Sequence, residues 1–381
     1  MDRVANGSAS LASRWVADGI DKTLRSRRLA GASLFLIFLF LVACRRSPDD
    51  AIVPRVITQQ TRHDTDDPAI WINRSAPGRS IVFGTDKDTD GAIYAFDLQG
   101  KVLADKMIRG VQRPNNVDIE YGFDLNGRKV DILAFSERER QALRLFSVPD
   151  MRPLDGGGFP VFEGEPAGEM RWPMGVALYK QPETGIMYAI VGRKQGPTDG
   201  TYLWQYRLAA DSLGVVEAIL VRRFGDFSGE KEIEAIAVDD ELGYVYYADE
   251  GVGIRKYYAD AAKGDGELAL FGTEGFRDDM EGIAVLATGP AEGYLLVSDQ
   301  QGQALRIFER SGAHAFVKSV TIQARETDGL EVSGFDFGGP FSQGLLVAMS
   351  DDKTFHYYGL DQLELETAPK PEERESPDAD R

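Results

Sequence analysis

Two sets of charged residues recur along the chain at positions that could bring them together. The first is acidic or amide: Asp66-Asp67-Pro68, Asn115-Asn116-Val117-Asp118, Glu232-Ile233-Glu234, Asp279-Met280-Glu281 and Thr327-Asp328, each at the entrance of an apolar run. A sixth run, Pro173-Met174-Gly175-Val176, has no carboxylate at its entrance. The second set is basic: Thr85-Asp86-Lys87, Ser136-Glu137-Arg138 and Gly192-Arg193-Lys194 each close a short apolar segment. Taken singly, Asp and Asn start turns, and a Lys or Arg in a turn is a solvated side chain. Taken together, carboxylates gathered round one point repel and raise each other's pKa unless a cation neutralises them. A purely oxygen set of this size suits Ca²⁺ better than Zn²⁺. Basic residues facing such a cluster equip it for phosphate, because metal ions and guanidinium groups both neutralise charge on phosphoryl oxygens. The expected ligand is therefore highly anionic.

The composition narrows the chemistry further. The 381 residues hold 43 Lys and Arg against 61 Asp and Glu, a formal net charge of −18, with one Cys and three His. A lone cysteine makes neither an internal disulfide nor a thiolate zinc site, and His63, His314 and His356 lack the spacing of a histidine zinc motif. The acidic balance argues against nucleic acid as a partner, since phosphate neutralisation needs a basic stripe.

The elements that must position these charges are visible as a repeat. Ser80–Gly84 with Ala92–Phe96 reads as a hairpin, as do 130–135 with 142–146, 186–191 with 202–206, 244–248 with 254–258, 294–298 with 304–308, and 345–348 with 354–358. Each is a short apolar run, a polar or Gly-containing turn and a second run ending near an aromatic. Their starts lie about 50 to 58 residues apart, the span of a four-stranded blade and too short for a strand–helix–strand unit with its loops. The expected fold is all-β, a six-bladed β-propeller with four-stranded blades. In that fold the first strand of every blade lines the central channel, so the acidic entrances converge on one rim. Val53–Gln59 reads as a strand that completes the last blade.

The ends read differently. Arg25, Arg27 and Arg28 precede an apolar run from Ala32 to Ala43 that stops at Cys44, too short for a membrane span and suited to an export signal. Leu41-Val42-Ala43-Cys44 resembles a bacterial lipobox, whose cysteine is lipidated and becomes the mature N-terminus. Residues 1–44 are expected to be a leader, 45–51 a linker, 52–363 the propeller, and 364–381, with three prolines and many charges, a disordered acidic tail. The protein is then exported, lipid-anchored to the outer membrane through Cys44, or periplasmic or extracellular, and a monomer.

Asp66-Asp67-Pro68-Ala69-Ile70-Trp71, Gly84-Thr85-Asp86-Lys87, Asn115-Asn116-Val117-Asp118-Ile119-Glu120-Tyr121-Gly122-Phe123, Asp279-Met280-Glu281-Gly282 and Glu326-Thr327-Asp328-Gly329 together resemble the β-propeller phytases, calcium-dependent alkaline phytases of bacteria. The likeness is collinear from Asp64 to Leu360. It implies hydrolysis of the phosphate monoesters of myo-inositol hexakisphosphate (phytate, free or as its calcium complex), of the 3-phytase type, with several Ca²⁺ ions and no covalent phosphoenzyme. Carried over, it assigns metal-ligand roles to Asp67, Glu234, Glu250, Asp279, Glu281, Gln300 and Asp328, with Asn116 and Asp118 at the margin of the set. It assigns phosphate-binding and catalytic roles to Lys87, Arg138 and Lys194, with Arg193 competing for the place of Lys194. Asp328 is expected to bridge metals in catalysis.

Two departures stand out: Asp88 occupies the place of a second lysine, and Met174 that of a tyrosine before Gly175. The implied mechanism is in-line attack on phosphorus by a water bridging Ca²⁺ ions, its pKa lowered by their charge. Consistently, Arg62-His63 is followed by Asp64 rather than by the glycine of histidine acid phosphatases, and no other His or Cys sits in a nucleophile's setting. Two other classes fit a calcium-bearing propeller: a non-catalytic lipoprotein that binds a phosphorylated ligand or partner, and a calcium-dependent lactonase-type hydrolase, which has no use for three rim cations.

Overall fold

The computed structural model describes residues 50–366, so the leader, Cys44 and the tail beyond Glu366 lie outside the described residues. Six four-stranded antiparallel sheets follow one another along the chain. Blade one is β2 (Thr65–Trp71), β3 (Ile81–Asp86), β4 (Gly91–Phe96) and β5 (Ile108–Val111). Blade two is β6 (Pro114–Leu125), β7 (Arg128–Glu137), β8 (Ala142–Val148) and β9 (Phe159–Pro160). Blade three is β10 (Pro173–Lys180), β11 (Met187–Arg193), β12 (Leu203–Ala210) and β13 (Val216–Phe224). Blade four is β14 (Ile236–Asp239), β15 (Tyr244–Asp249), β16 (Gly253–Tyr258) and β17 (Ala269–Phe271). Blade five is β18 (Ile283–Ala287), β19 (Gly293–Asp299), β20 (Ala304–Glu309) and β21 (Phe316–Thr321).

The last blade is made by both ends of the fold. β22 (Leu330–Ser333), β23 (Leu345–Ser350) and β24 (Thr354–Gly359) take β1 (Val56–Ile57) as their outermost strand, pairing Val56 with Tyr357 and Ile57 with His356. Flanking backbone bonds from Arg55 to Tyr357 (2.8 Å) and from Thr58 to Phe355 (3.0 Å) extend this seam on either side. The stretch Val53–Gln59 thus does close the ring, with only two of its residues in regular pairing.

The sequence chooses this packing through the strand period of two. Alternate side chains of one strand enter different cores: Ile81 and Phe83 of β3 face blade two while Val82 faces blade six, and Leu345, Val347 and Met349 of β23 face blade one while Leu346 and Ala348 face blade five. Each pair of neighbouring blades shares one apolar cluster, six in all around the ring. A strand sandwiched between two blades is buried on both faces, which is why the second strands read as unbroken apolar runs. Outer strands are half exposed and more polar, as in β13 and β21. The six first strands together enclose a central channel with a cavity of about 250 Å³.

Candidate active site at the channel mouth

Antiparallel pairing sets the start of each blade's first strand beside the end of its second: Thr65 opposite Asp86, Pro114 opposite Glu137, Pro173 opposite Arg193. The acidic entrances and the basic turns therefore meet at one end of the channel. In each of the first three blades the register then slips between that pair and the next, over Thr65–Pro68, Pro114–Val117 and Pro173–Val176. A bulge turns side chains out of the ladder, and here it re-aims Asp66, Asp67, Asn115 and Asn116. In blades four to six the first strand starts later, so Glu232, Glu234, Asp279, Glu281 and Asp328 lie on the segments that lead into it.

Buried hydroxyls at the end of the second strands pin these entrances. Thr85 Oγ1 accepts the Asp67 amide at 2.9 Å, Ser136 Oγ the Asn116 amide at 3.2 Å, and Ser298 Oγ the amides of Glu281 and Gly282 at 3.2 and 2.9 Å. The next residue in each case is a buried acid that anchors the loop before the first strand. Asp86 accepts from the amides of His63 and Asp64, Glu137 from Gln112, and Asp299 from Arg277, while Asp249 in blade four accepts from Ser228. These four carboxylates are scaffold. Two glycines permit the close approach of blades: a Cβ on Gly175 would stand 2.2 Å from the Glu234 carbonyl, and one on Gly329 would stand 2.3 Å from Asp67 Oδ1.

A depression of about 510 Å³ opens at this mouth, lined by Lys87, Lys194, Glu234, Glu250, Asp279, Glu281, Gln300 and Asp328, all assigned roles from the sequence, by Glu232 of the same acidic entrance as Glu234, and by Gln195, Glu230 and Lys231, which the sequence did not single out. Lys87 Nζ donates to Asp66 Oδ1 at 3.0 Å and to Asp328 Oδ2 at 3.2 Å. Asp328 Oδ1 accepts from Gln300 Nε2 at 2.5 Å. Arg138 Nη2 stands 3.8 Å from Glu234 Oε1 and donates to Asn115 Oδ1, whose own amide donates to Glu234 Oε2 at 3.3 Å. Lys194 pairs with Glu232, and Lys231 with Asp278 and Asp279. Asp66 is the member that sequence reasoning passed over in favour of its neighbour. Its signal was the doubled acid before Pro68, which leaves open which of the two carboxylates faces the mouth.

Three assigned residues lie deeper. Asp67 Oδ2 accepts the Val117 amide at 3.0 Å and Asp118 Oδ2 the Leu178 amide at 2.7 Å, so both carboxylates, with Asn116, line the channel wall. Arg193 does not reach the mouth at all. It is fully buried inside blade three, where Nε donates to Tyr202 O at 3.1 Å, Nη2 donates to Thr201 O at 2.9 Å, and its guanidinium lies 4.7 Å over the Phe162 ring. Arg193, the last residue of β11, thus turns into the blade, while Lys194, the next residue, faces the cavity. Arg193→Met should accordingly lower the melting temperature by several degrees through unpaired buried carbonyls. Lys194→Met should leave melting unchanged and raise KM for an anionic substrate. Thermal scans and initial rates on the two variants check this split.

Burial and mutual repulsion push the acids of the mouth toward the neutral form. Asp66, Asp67, Glu234 and Glu281 are all raised, desolvation first, and Glu250 reaches about 9. Lys87 moves the other way for a lysine losing water: despite its own burial, Asp66, Asp328 and Glu234 raise it. Asp66 Oδ2 and Glu250 Oε1 are buried with no hydrogen-bond partner. Orphaned carboxylate oxygens beside several acids fit a multivalent, oxygen-loving cation. Among the described residues no three acids or histidines are already drawn together round one point, and lysines instead neutralise Asp66, Asp328, Glu232 and Asp279.

Known proteins resemble the chain over most of its length. The family model described as Phytase matches residues 51–362. A 3-phytase of Bacillus subtilis (strain 168) is 29% identical over 302 residues, covering 75% of this chain and 74% of its own. Among solved structures, a luciferin-regenerating enzyme aligns with a TM-score of 0.48 at 14% identity, over 80% of this chain and 95% of its own.

Proposed function

The chain belongs to the phytase family, and we propose that its channel mouth is the site at which phytate is hydrolysed with several Ca²⁺ ions bound. The protein is a phosphoric monoester hydrolase, and its substrate is phytate. The observation that carries the assignment is the single depression in which Lys87 and Lys194 face Glu234, Glu250, Asp279, Glu281 and Asp328. Neither lactone hydrolysis nor passive display of a surface calls for that mixture of buried acids and cations.

Asp66, Glu234, Glu250, Asp279, Glu281, Gln300 and Asp328 would hold calcium, with Asp67, Asn116 and Asp118 as a lower tier along the channel. When bound, Ca²⁺ supplies Lewis-acid charge for the phosphoryl oxygens and lowers the pKa of a nearby water. Lys87, Arg138 and Lys194 hold the phosphoryl oxygens as charge builds on them. The carboxylates exclude a free phosphate from the mouth unless their charge is met, so they couple substrate entry to cation binding. His63 pairs its Nδ1 with Asp86 Oδ2 at 2.9 Å and is not among the residues that line the depression. We read the reaction as direct in-line displacement by water, and the release of orthophosphate from phytate as of the 3-phytase type. We read the chain as exported, lipidated at Cys44 and monomeric.

The test is phosphate release from phytate by protein lacking residues 1–44, at neutral to mildly alkaline pH, with millimolar Ca²⁺ or with EGTA. Release that depends on calcium is expected. Release unaffected by EGTA would overturn the calcium assignment, and release lost with residues 1–44 would give Cys44 a part in the chemistry.

A further inference from the structure

Lys231 is the one lysine lining the depression that no motif predicted. It sits on the segment that leads from blade three into β14, beside Glu230 and Glu232, and its ammonium pairs with both Asp278 and Asp279 of blade five. Its side chain is also the most open of the three mouth lysines, at 36% exposure against 25% for Lys194 and 15% for Lys87. Lys87 and Lys194 approach from blades one and three, so among the described residues Lys231 supplies the only lysine ammonium on the blade-four side of the depression.

We infer that Lys231 is a displaceable internal cation: it neutralises Asp279 while no metal is bound, and on metal binding swings off Asp279 to hold a phosphate of the substrate. The inference rests on the calcium reading of Asp279. The physical argument is one of charge. A carboxylate that takes a divalent cation cannot keep an ammonium on the same oxygens, because the two positive charges then repel at contact distance. The ammonium, freed from Asp279 and left with the open Asp278, is tethered by a flexible four-carbon stem and remains beside a cavity whose occupant carries many negative charges. Such a swap makes Lys231 a competitor of the metal and a partner of the substrate. Removing it should therefore move the two affinities in opposite directions, which loss of a merely structural lysine would not do.

The experiment titrates Ca²⁺ against the melting temperature of full-length wild type, Lys231→Gln and Lys231→Arg, and measures phytate hydrolysis at saturating Ca²⁺. For Lys231→Gln the Ca²⁺ midpoint should fall about threefold or more, and KM for phytate should rise about tenfold with the loss carried by KM rather than kcat. Lys231→Arg, which keeps the charge, should restore both values to near wild type. A Lys231→Gln protein with unchanged KM overturns the substrate role, and one whose Ca²⁺ midpoint stays the same or rises overturns the competition. If wild type itself shows no calcium-dependent melting, it is the calcium reading of the mouth that fails, and that outcome is distinguishable because it precedes any variant.

Discussion

Asp328→Ala is expected to lower kcat/KM for phytate by about a thousandfold, while in EGTA the protein melts no lower than wild type. The two halves have one cause. Asp328 takes Lys87 at 3.2 Å on one oxygen and Gln300 at 2.5 Å on the other, so it joins a proposed phosphate-binding cation to a candidate metal ligand across the junction of blades one, five and six. Removing it would both deprive the proposed metal cluster of an oxygen ligand and free Lys87 to collapse onto Asp66, its other partner at 3.0 Å. Burial does most to raise Asp66, Glu234 and Glu281, and the negative charge of Asp328 adds to it. A metal-free fold relieved of one like charge loses little. Steady-state rates at saturating Ca²⁺ and thermal scans in EGTA check both parts. Turnover within a few-fold of wild type would remove Asp328 from the reaction. A large fall in melting temperature would make it scaffold, as Asp86 and Glu137 are.

Much of this arrangement was legible in the residues. Strand pairs buried on both faces announce themselves as repeated apolar runs, so the six blades followed from periodicity and spacing; the pairing of Val56 and Ile57 with the last blade is fixed only by the fold. What the sequence leaves open is direction. Asp66 and Asp67 are adjacent and chemically identical, and only the bulge at the head of β2 decides that Asp66 meets Lys87 while Asp67 turns to the Val117 amide. The same limit applies to Arg193 and Lys194, where the last residue of β11 points into the blade and the next one out of it. Lys231 was invisible for a different reason. It stands in a sequence-local setting of Glu230 and Glu232 that reads as a solvated charge run, and its partners Asp278 and Asp279 come from the following blade.

The dependence of stability on pH should change sign with calcium, because the mouth acids are shifted against the usual direction. A carboxylate whose pKa is raised by folding holds its proton in the folded chain at a pH where the unfolded chain has lost it. With more protons bound to the native state, unfolding free energy falls as pH rises. For Glu250 the window runs from its ordinary value of 4.5 to about 9. Asp66, Asp67, Glu234 and Glu281 shift in the same direction, as do Asp118, to about 7, and Glu331, to about 8, further down the channel. In EGTA the stabilisation is full below about pH 4.5 and drains away as pH rises toward 9, so the melting temperature should decline steadily across that range. Calcium replaces the protons: ligands must be deprotonated to bind it, so its contribution grows as pH rises. The two melting curves should therefore nearly coincide at about pH 5 and stand about 10 °C apart by about pH 8 in millimolar Ca²⁺. Activity should follow the gap between the curves rather than the EGTA curve, since the acids that lose their protons are those that would hold the metal beside Lys87. Parallel curves would mean that the buried acids of the mouth and the metal do not share the same oxygens. A calcium effect that grew toward low pH would place the ion on groups other than these.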